Sequence, residues 1–207
     1  MNTITRVVLA AALLVALLPD GYAQANIAVC AGCHGVHGEG SSTGVPRLAG
    51  QNVEYLSHAL SLFKAGTRAS PIMQPIAQGL SDADIQALAE YFSGQSAPLV
   101  DAKAAVSSSL FEAGKQLVAT GPVRCFECHG ARGQGNGARY PSIAGQPARF
   151  VVDRIHEFQQ RARLKTPQPG TMTSVSTMLS EDQIQAYAAY LSGLQPDDAA
   201  ARALSAR

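Results

Sequence analysis

The feature that most constrains this chain is an internal repeat. Cys30-Ala31-Gly32-Cys33-His34-Gly35 returns 95 positions later as Cys125-Phe126-Glu127-Cys128-His129-Gly130. Pro46-Arg47-Leu48-Ala49-Gly50-Gln51 returns at the same offset as Pro141-Ser142-Ile143-Ala144-Gly145-Gln146, and Phe63 as Phe158. Leu80-Ser81-Asp82-Ala83-Asp84-Ile85-Gln86-Ala87 then matches Leu179-Ser180-Glu181-Asp182-Gln183-Ile184-Gln185-Ala186 at an offset of 99. The second copy therefore carries four extra residues between these blocks, placed in the Pro167–Gly170 loop. A repeat of this length is a duplicated domain, because solenoid units run to roughly 20–50 residues. A length of 207 residues suits two small domains.

Each copy reads as helical. Tyr55, Leu56, Ala59, Leu60 and Phe63 recur at three- and four-residue spacing, which predicts a helix over Asn52–Lys64 with one apolar face, ended by Gly66. Ser81 with Asp84 three residues on starts a second helix, whose buried stripe is Ile85, Leu88, Ala89 and Phe92 and whose stop is Gly94. The second copy repeats the plan. Ala148–Arg163 forms the first helix; Ser180 and Gln183 form a capping box before Ile184, Tyr187, Ala188 and Leu191, with Gly193 as the stop. Ser109–Ala119 is a further helix leading into the second cysteine pair. No run of alternating β-branched residues is long enough for a sheet. The expected fold class is all-α, with domains at 26–94 and 109–194, a linker of small residues and Pro98 at 95–108, and a tail at 195–207.

Residues 1–25 read as an export signal. Arg6 supplies the positive flank, Val7–Leu18 is an apolar run too short to span a bilayer, and Pro19 breaks it. Small residues at Gly21, Ala23 and Ala25 suit cleavage. The expected location is the periplasm. With a formal net charge of +1, the chain lacks the basic surplus that phosphate binding requires, so nucleic acid is not its expected partner.

Two cysteines three positions apart, followed directly by histidine, can form two thioether bonds to the vinyl groups of a haem while the histidine reaches the iron. Cys30 and Cys33 with His34, and Cys125 and Cys128 with His129, predict two covalently attached haems c. A four-ligand zinc site would join cysteine pairs that here sit in separate copies of the repeat. A redox dithiol would sit in a βαβ setting, which is missing from the pattern. For the other iron face, Met73 lies seven residues before Leu80 and Met172 seven before Leu179, in loops that precede the last helix of each copy. A thioether is a soft, neutral ligand that favours ferrous iron and raises the reduction potential. Met178, close by, competes with Met172. Pro46 and Pro141 each follow their histidine by twelve residues, and their carbonyls could accept from the imidazole Nδ1–H. His37, His58 and His156 have no histidine at the matching position and are expected to be solvated or packed. Tyr55 and Phe150 are expected to pack near the cofactors.

Taken together, the paired Cys-x-x-Cys-His motifs, the Pro-x-x-Ala-Gly-Gln blocks, the methionine segments and the Leu-Ser endings resemble the dihaem cytochrome c4 family, over nearly the whole exported chain. The resemblance implies two tandem cytochrome c-like domains, related by pseudo-twofold symmetry and each wrapped around its haem. It implies ligation by His34 with Met73 and by His129 with Met172, and attachment through Cys30, Cys33, Cys125 and Cys128. It also implies a periplasmic electron carrier, some members being loosely membrane-associated, that serves a terminal oxidase or similar acceptor. The first copy departs from the second in having only Asn26–Val29 between the expected cleavage point and Cys30.

With both axial positions filled, outer-sphere electron transfer is the chemistry left. Residues 26–100 hold three basic and five acidic side chains, and residues 101–207 hold twelve and nine. Arg149, Arg154, Arg161, Arg163 and Lys165 are expected to steer the carrier onto an acidic partner. One alternative is the dihaem subunit of an oxidoreductase, such as a flavocytochrome c sulfide dehydrogenase, with the flavin on a partner. Another is a dihaem peroxidase or thiosulfate-oxidising enzyme, which would need an iron without its methionine.

Overall fold

The computed structural model describes residues 20–97, 107–164 and 170–195. Most of the expected signal and linker, the Pro167–Gly170 loop up to its last residue, Lys165 and nearly all of the tail lie outside them. Helix α1 spans Asp20–His34, α2 Val53–Lys64, α3 Met73–Gln78 and α4 Asp82–Ser93. The second copy has α5 Ser108–Thr120, α6 Cys125–His129, α7 Ala148–Arg163, α8 Thr171–Ser176 and α9 Glu181–Ser192. Among the described residues there is no strand, only an isolated bridge between Asn136 and Tyr140.

Each copy closes its own core. In the first, Leu56 of α2 meets Ile85, Leu88, Ala89 and Phe92 of α4, with Leu80 between the helices. In the second, Val151, Val152 and Ile155 of α7 meet Ile184, Tyr187, Ala188 and Leu191 of α9. These are the apolar stripes legible in the sequence, and helical spacing is what brings each to one face. Both final helices start with a full capping box: Ser81 with Asp84, and Ser180 with Gln183. Ser180→Ala removes the acceptor of the Gln183 N–H, and is expected to destabilise the second unit by about 1 kcal/mol in denaturant unfolding.

The N-terminal segments of the two copies differ. In the second, α5 crosses α9 so closely that Gly114 lies against the Ala186 carbonyl. The chain then breaks at Gly121 before the cysteine helix, and Tyr187 Oη donates to the carbonyls of Leu117 and Val123 across that break. In the first, α1 runs unbroken from Asp20 through both cysteines to His34. It therefore includes residues that the expected cleavage would remove. Asn26 Nδ2 donates to Asp84 Oδ1 at 2.9 Å, tying α1 to α4.

The two copies meet through their Pro-x-x-Ala-Gly-Gln segments. Gln146 Oε1 accepts from the Arg47 N–H and Gln146 Nε2 donates to the Arg47 carbonyl, both at 3.0 Å. Gln51 does the same to Ser142, at 2.8 and 2.9 Å. Positions 47 and 142 are repeat equivalents, as are 51 and 146, so the contact is self-complementary, as a twofold axis requires. The one departure is the side chain of Arg47. It is buried at the boundary and donates to Ala49 O in its own copy and to Ser142 Oγ and Ala144 O in the other.

Candidate haem-binding sites

Both histidines end the helix that carries their cysteines, and both are buried. A loop folds back over each. Gly40 N donates to His34 O at 2.8 Å, and Leu48 N to Gly38 O at 2.8 Å; Gly135 N to His129 O and Ile143 N to Gly133 O repeat the pattern at 2.7 and 2.8 Å. Gly40 and Gly135 have φ of +76° and +91°, and a Cβ there would come within 2.7 Å of Arg47 N and 2.6 Å of Ser142 N. No side chain fits where the loop passes over that peptide. The strap places the Pro46 carbonyl 2.9 Å from His34 Nδ1 and the Pro141 carbonyl 2.8 Å from His129 Nδ1. A carbonyl can only accept, so each Nδ1 carries the proton and each Nε2 keeps its lone pair.

Burial pushes both imidazole pKa values below the ordinary histidine range, against a smaller opposite effect of the proline carbonyls. Neutral imidazole is the form that binds a metal.

None of the four cysteines forms a disulfide. Burial pushes the Cys30 thiol up and the Cys125 thiol up to about 11 before any cofactor is attached. Among the described residues, no three His, Cys, Asp or Glu side chains converge on a metal position by themselves. Two cysteines one helical turn apart, followed by a buried histidine anchored at Nδ1, fit haem c.

The methionines lie in short helices rather than loops. Met73 opens α3, where its N–H donates to Ser70 Oγ at 3.0 Å, and α3 packs on α2. Met172 is the second residue of α8, which packs on α7. Both are half-buried, whereas Met178 is 56% exposed in the turn after α8.

The remaining expectations resolve differently. His58 is exposed, His37 faces Gln95, and His156 pairs with Glu181 at 2.8 Å. Tyr55 bonds Arg68, whose guanidinium lies over the Phe63 ring, and Phe150 is half-buried. Two carboxylates offset half of the positive charge of α7. Arg149 pairs with Asp153 at 2.8 Å, and Arg154 and Arg161 both pair with Glu157. With four arginines against two carboxylates, α7 keeps a surplus of two positive charges, one of them on the exposed Arg163. Gln51, Gln146 and Arg47 were visible in the sequence as a repeated block, yet nothing in one copy showed that they reach into the other.

Two helical units, each with Cys-x-x-Cys-His at a helix end and a backbone-anchored histidine, define a c-type cytochrome. The cytochrome c family model matches residues 20–96 and 111–195. Cytochrome c4 of Azotobacter vinelandii is 34% identical over 83% of this chain and 87% of its own. A thiosulfate dehydrogenase electron acceptor of Stutzerimonas stutzeri is 35% identical over 84% and 83%. The crystal structure of reduced cytochrome c4 from Pseudomonas stutzeri superposes with a TM-score of 0.75 at 30% identity, covering 84% of this chain and 97% of that one. The chain belongs to the cytochrome c4 family: it is a dihaem electron-transfer protein with two covalently bound haems c, which its two Cys-x-x-Cys-His motifs suit.

Proposed function

We propose that the protein is a periplasmic carrier whose irons are ligated by His34 with Met73 and by His129 with Met172, and that it delivers electrons to a terminal oxidase or another respiratory acceptor. The observation that carries this reading is the matched pair of buried histidines, each held at Nδ1 by a proline carbonyl with Nε2 left to bind. Each bound haem supplies a one-electron couple. The chain's part is to hold the imidazole in one tautomer, keep it neutral and exclude water from it. The half-buried methionines, one on a short helix in each copy, support closed irons, and burial favours Met172 over the exposed Met178. The apolar run at 7–18 supports export. Among the described residues, no helix is long and apolar enough to cross a membrane.

The similarity to a thiosulfate dehydrogenase electron acceptor favours a thiosulfate dehydrogenase as the donor. Rapid mixing tests both parts. The oxidised protein is expected to stay oxidised with thiosulfate alone and to take up two electrons when a thiosulfate dehydrogenase is added. The reduced protein is expected to leave carbon monoxide unbound. Thiosulfate oxidation by the chain alone, or stoichiometric carbon monoxide binding, would contradict the carrier reading.

A further inference from the structure

The two glutamines that end the repeated block do more than join the copies. The peptide unit between Pro46 and Arg47 is engaged at both ends: its carbonyl accepts from His34 Nδ1 at 2.9 Å, and its N–H donates to Gln146 Oε1 at 3.0 Å. The unit between Pro141 and Ser142 is engaged likewise, by His129 Nδ1 at 2.8 Å and by Gln51 Oε1 at 2.8 Å. Each histidine therefore leads, through one peptide group, to a glutamine of the opposite domain.

We propose that Gln146 and Gln51 are positioning residues that tune the haem of the opposite domain. Each would strengthen the proximal histidine's hydrogen bond and so set that haem's reduction potential from across the boundary. The inference rests on the reading that His34 and His129 bind iron. A peptide whose N–H is donated carries more negative charge on its oxygen, and such chains strengthen one another where the dielectric is low. Gln51 and Gln146 are only 2% and 3% exposed, so water does not compete for these bonds. A stronger bond at Nδ1 makes the imidazole a better donor to the metal, which favours ferric iron and lowers the potential. Glutamine suits the task because its amide is donor and acceptor at once. Each side chain clasps both the N–H and the carbonyl of the facing residue. A clasp that merely held the domains together would act on stability and on both haems alike.

The test is a pair of variants of the full, haem-loaded chain, Gln146→Met and Gln51→Met, which keep side-chain length and lose the amide. Redox titrations followed by NMR of the haem methyl groups read the two potentials separately. Gln146→Met is expected to raise the potential of the haem held by Cys30 and Cys33 and to leave the other in place; Gln51→Met is expected to do the reverse. The size expected is a several-fold rise in the ferrous-to-ferric ratio at fixed ambient potential, tenfold corresponding to 59 mV for one electron. Shifts that fall on the variant's own domain, fall equally on both haems, or do not occur would overturn the proposal. If the methionine variants fail to load two haems, Gln146→Asn and Gln51→Asn, which draw the amide back from the facing peptide, must give the same crossed pattern. Failure of histidine ligation would show separately, as missing hyperfine-shifted histidine signals in the unmodified protein, and would remove this inference with it.

Discussion

Met172→Ala is expected to remove about half of the weak ferric charge-transfer band that reports methionine–iron bonds, and to lower the potential of one haem while leaving the other in place. Two observations support this. Met172 is half-buried on a helix packed against α7, and Met73 sits at the matching repeat position on α3. Losing a neutral thioether removes the ligand that favours ferrous iron. Met178→Ala is expected to leave the band and both potentials unchanged, since that side chain is exposed. The same variants distinguish carrier from enzyme. The Met172→Ala protein is expected to bind carbon monoxide at one iron and the Met178→Ala protein at neither. A band lost on replacing Met178 instead would move the ligand into the turn after α8.

Gly114→Val is expected to be the most destabilising single change in the second domain. A Cβ at this position would overlap the Ala186 carbonyl oxygen and lie 2.6 Å from Tyr190 Cβ, and the oxygen is backbone that cannot turn aside. Helices α5 and α9 must then part, which exposes the Phe111–Tyr190 contact and strains the bonds from Tyr187 to Leu117 and Val123. Even Gly114→Ala sets two effects against each other. Alanine in a helix interior gains about 1 kcal/mol over glycine. Overpacking a tight contact costs about 1–3 kcal/mol. The valine variant, larger and β-branched, is expected to lose at least about 2 kcal/mol, or roughly 10 °C for a domain of this size. Differential scanning calorimetry should show the second domain's transition moving down while the first domain's stays. An unchanged melting profile would mean that the α5–α9 crossing is looser than the structure has it.

What the sequence revealed, and what it hid, follows the range of the forces involved. The stripes of α2, α4, α7 and α9 were legible because burial on one helical face leaves a periodic trace. Ser81 and Ser180 were legible because capping is local. Cys-x-x-Cys-His was legible because the haem's two vinyl groups and iron fix the spacing. Helices α3 and α8 read as loops because six residues are too few for a period to register. The unbroken α1 was obscured because its first turns overlap the stretch that reads as an export signal. Gly114 looks like a weak point in a helix until the crossing partner is known. Arg47 looks like a surface cation, yet it is buried at the domain boundary, a choice that depends on acceptors far along the chain. The basic run in α7 suggested a docking patch, and two carboxylates on the same helix pair with three of its arginines and offset two of their charges.

The most direct test of the account is the visible spectrum of the oxidised protein, with haem counted per chain and the methionine–iron band scaled to that count. Two haems per chain with the full band for both would establish two closed irons, as an outer-sphere carrier requires. Two haems with half the band would leave one iron open and contradict it.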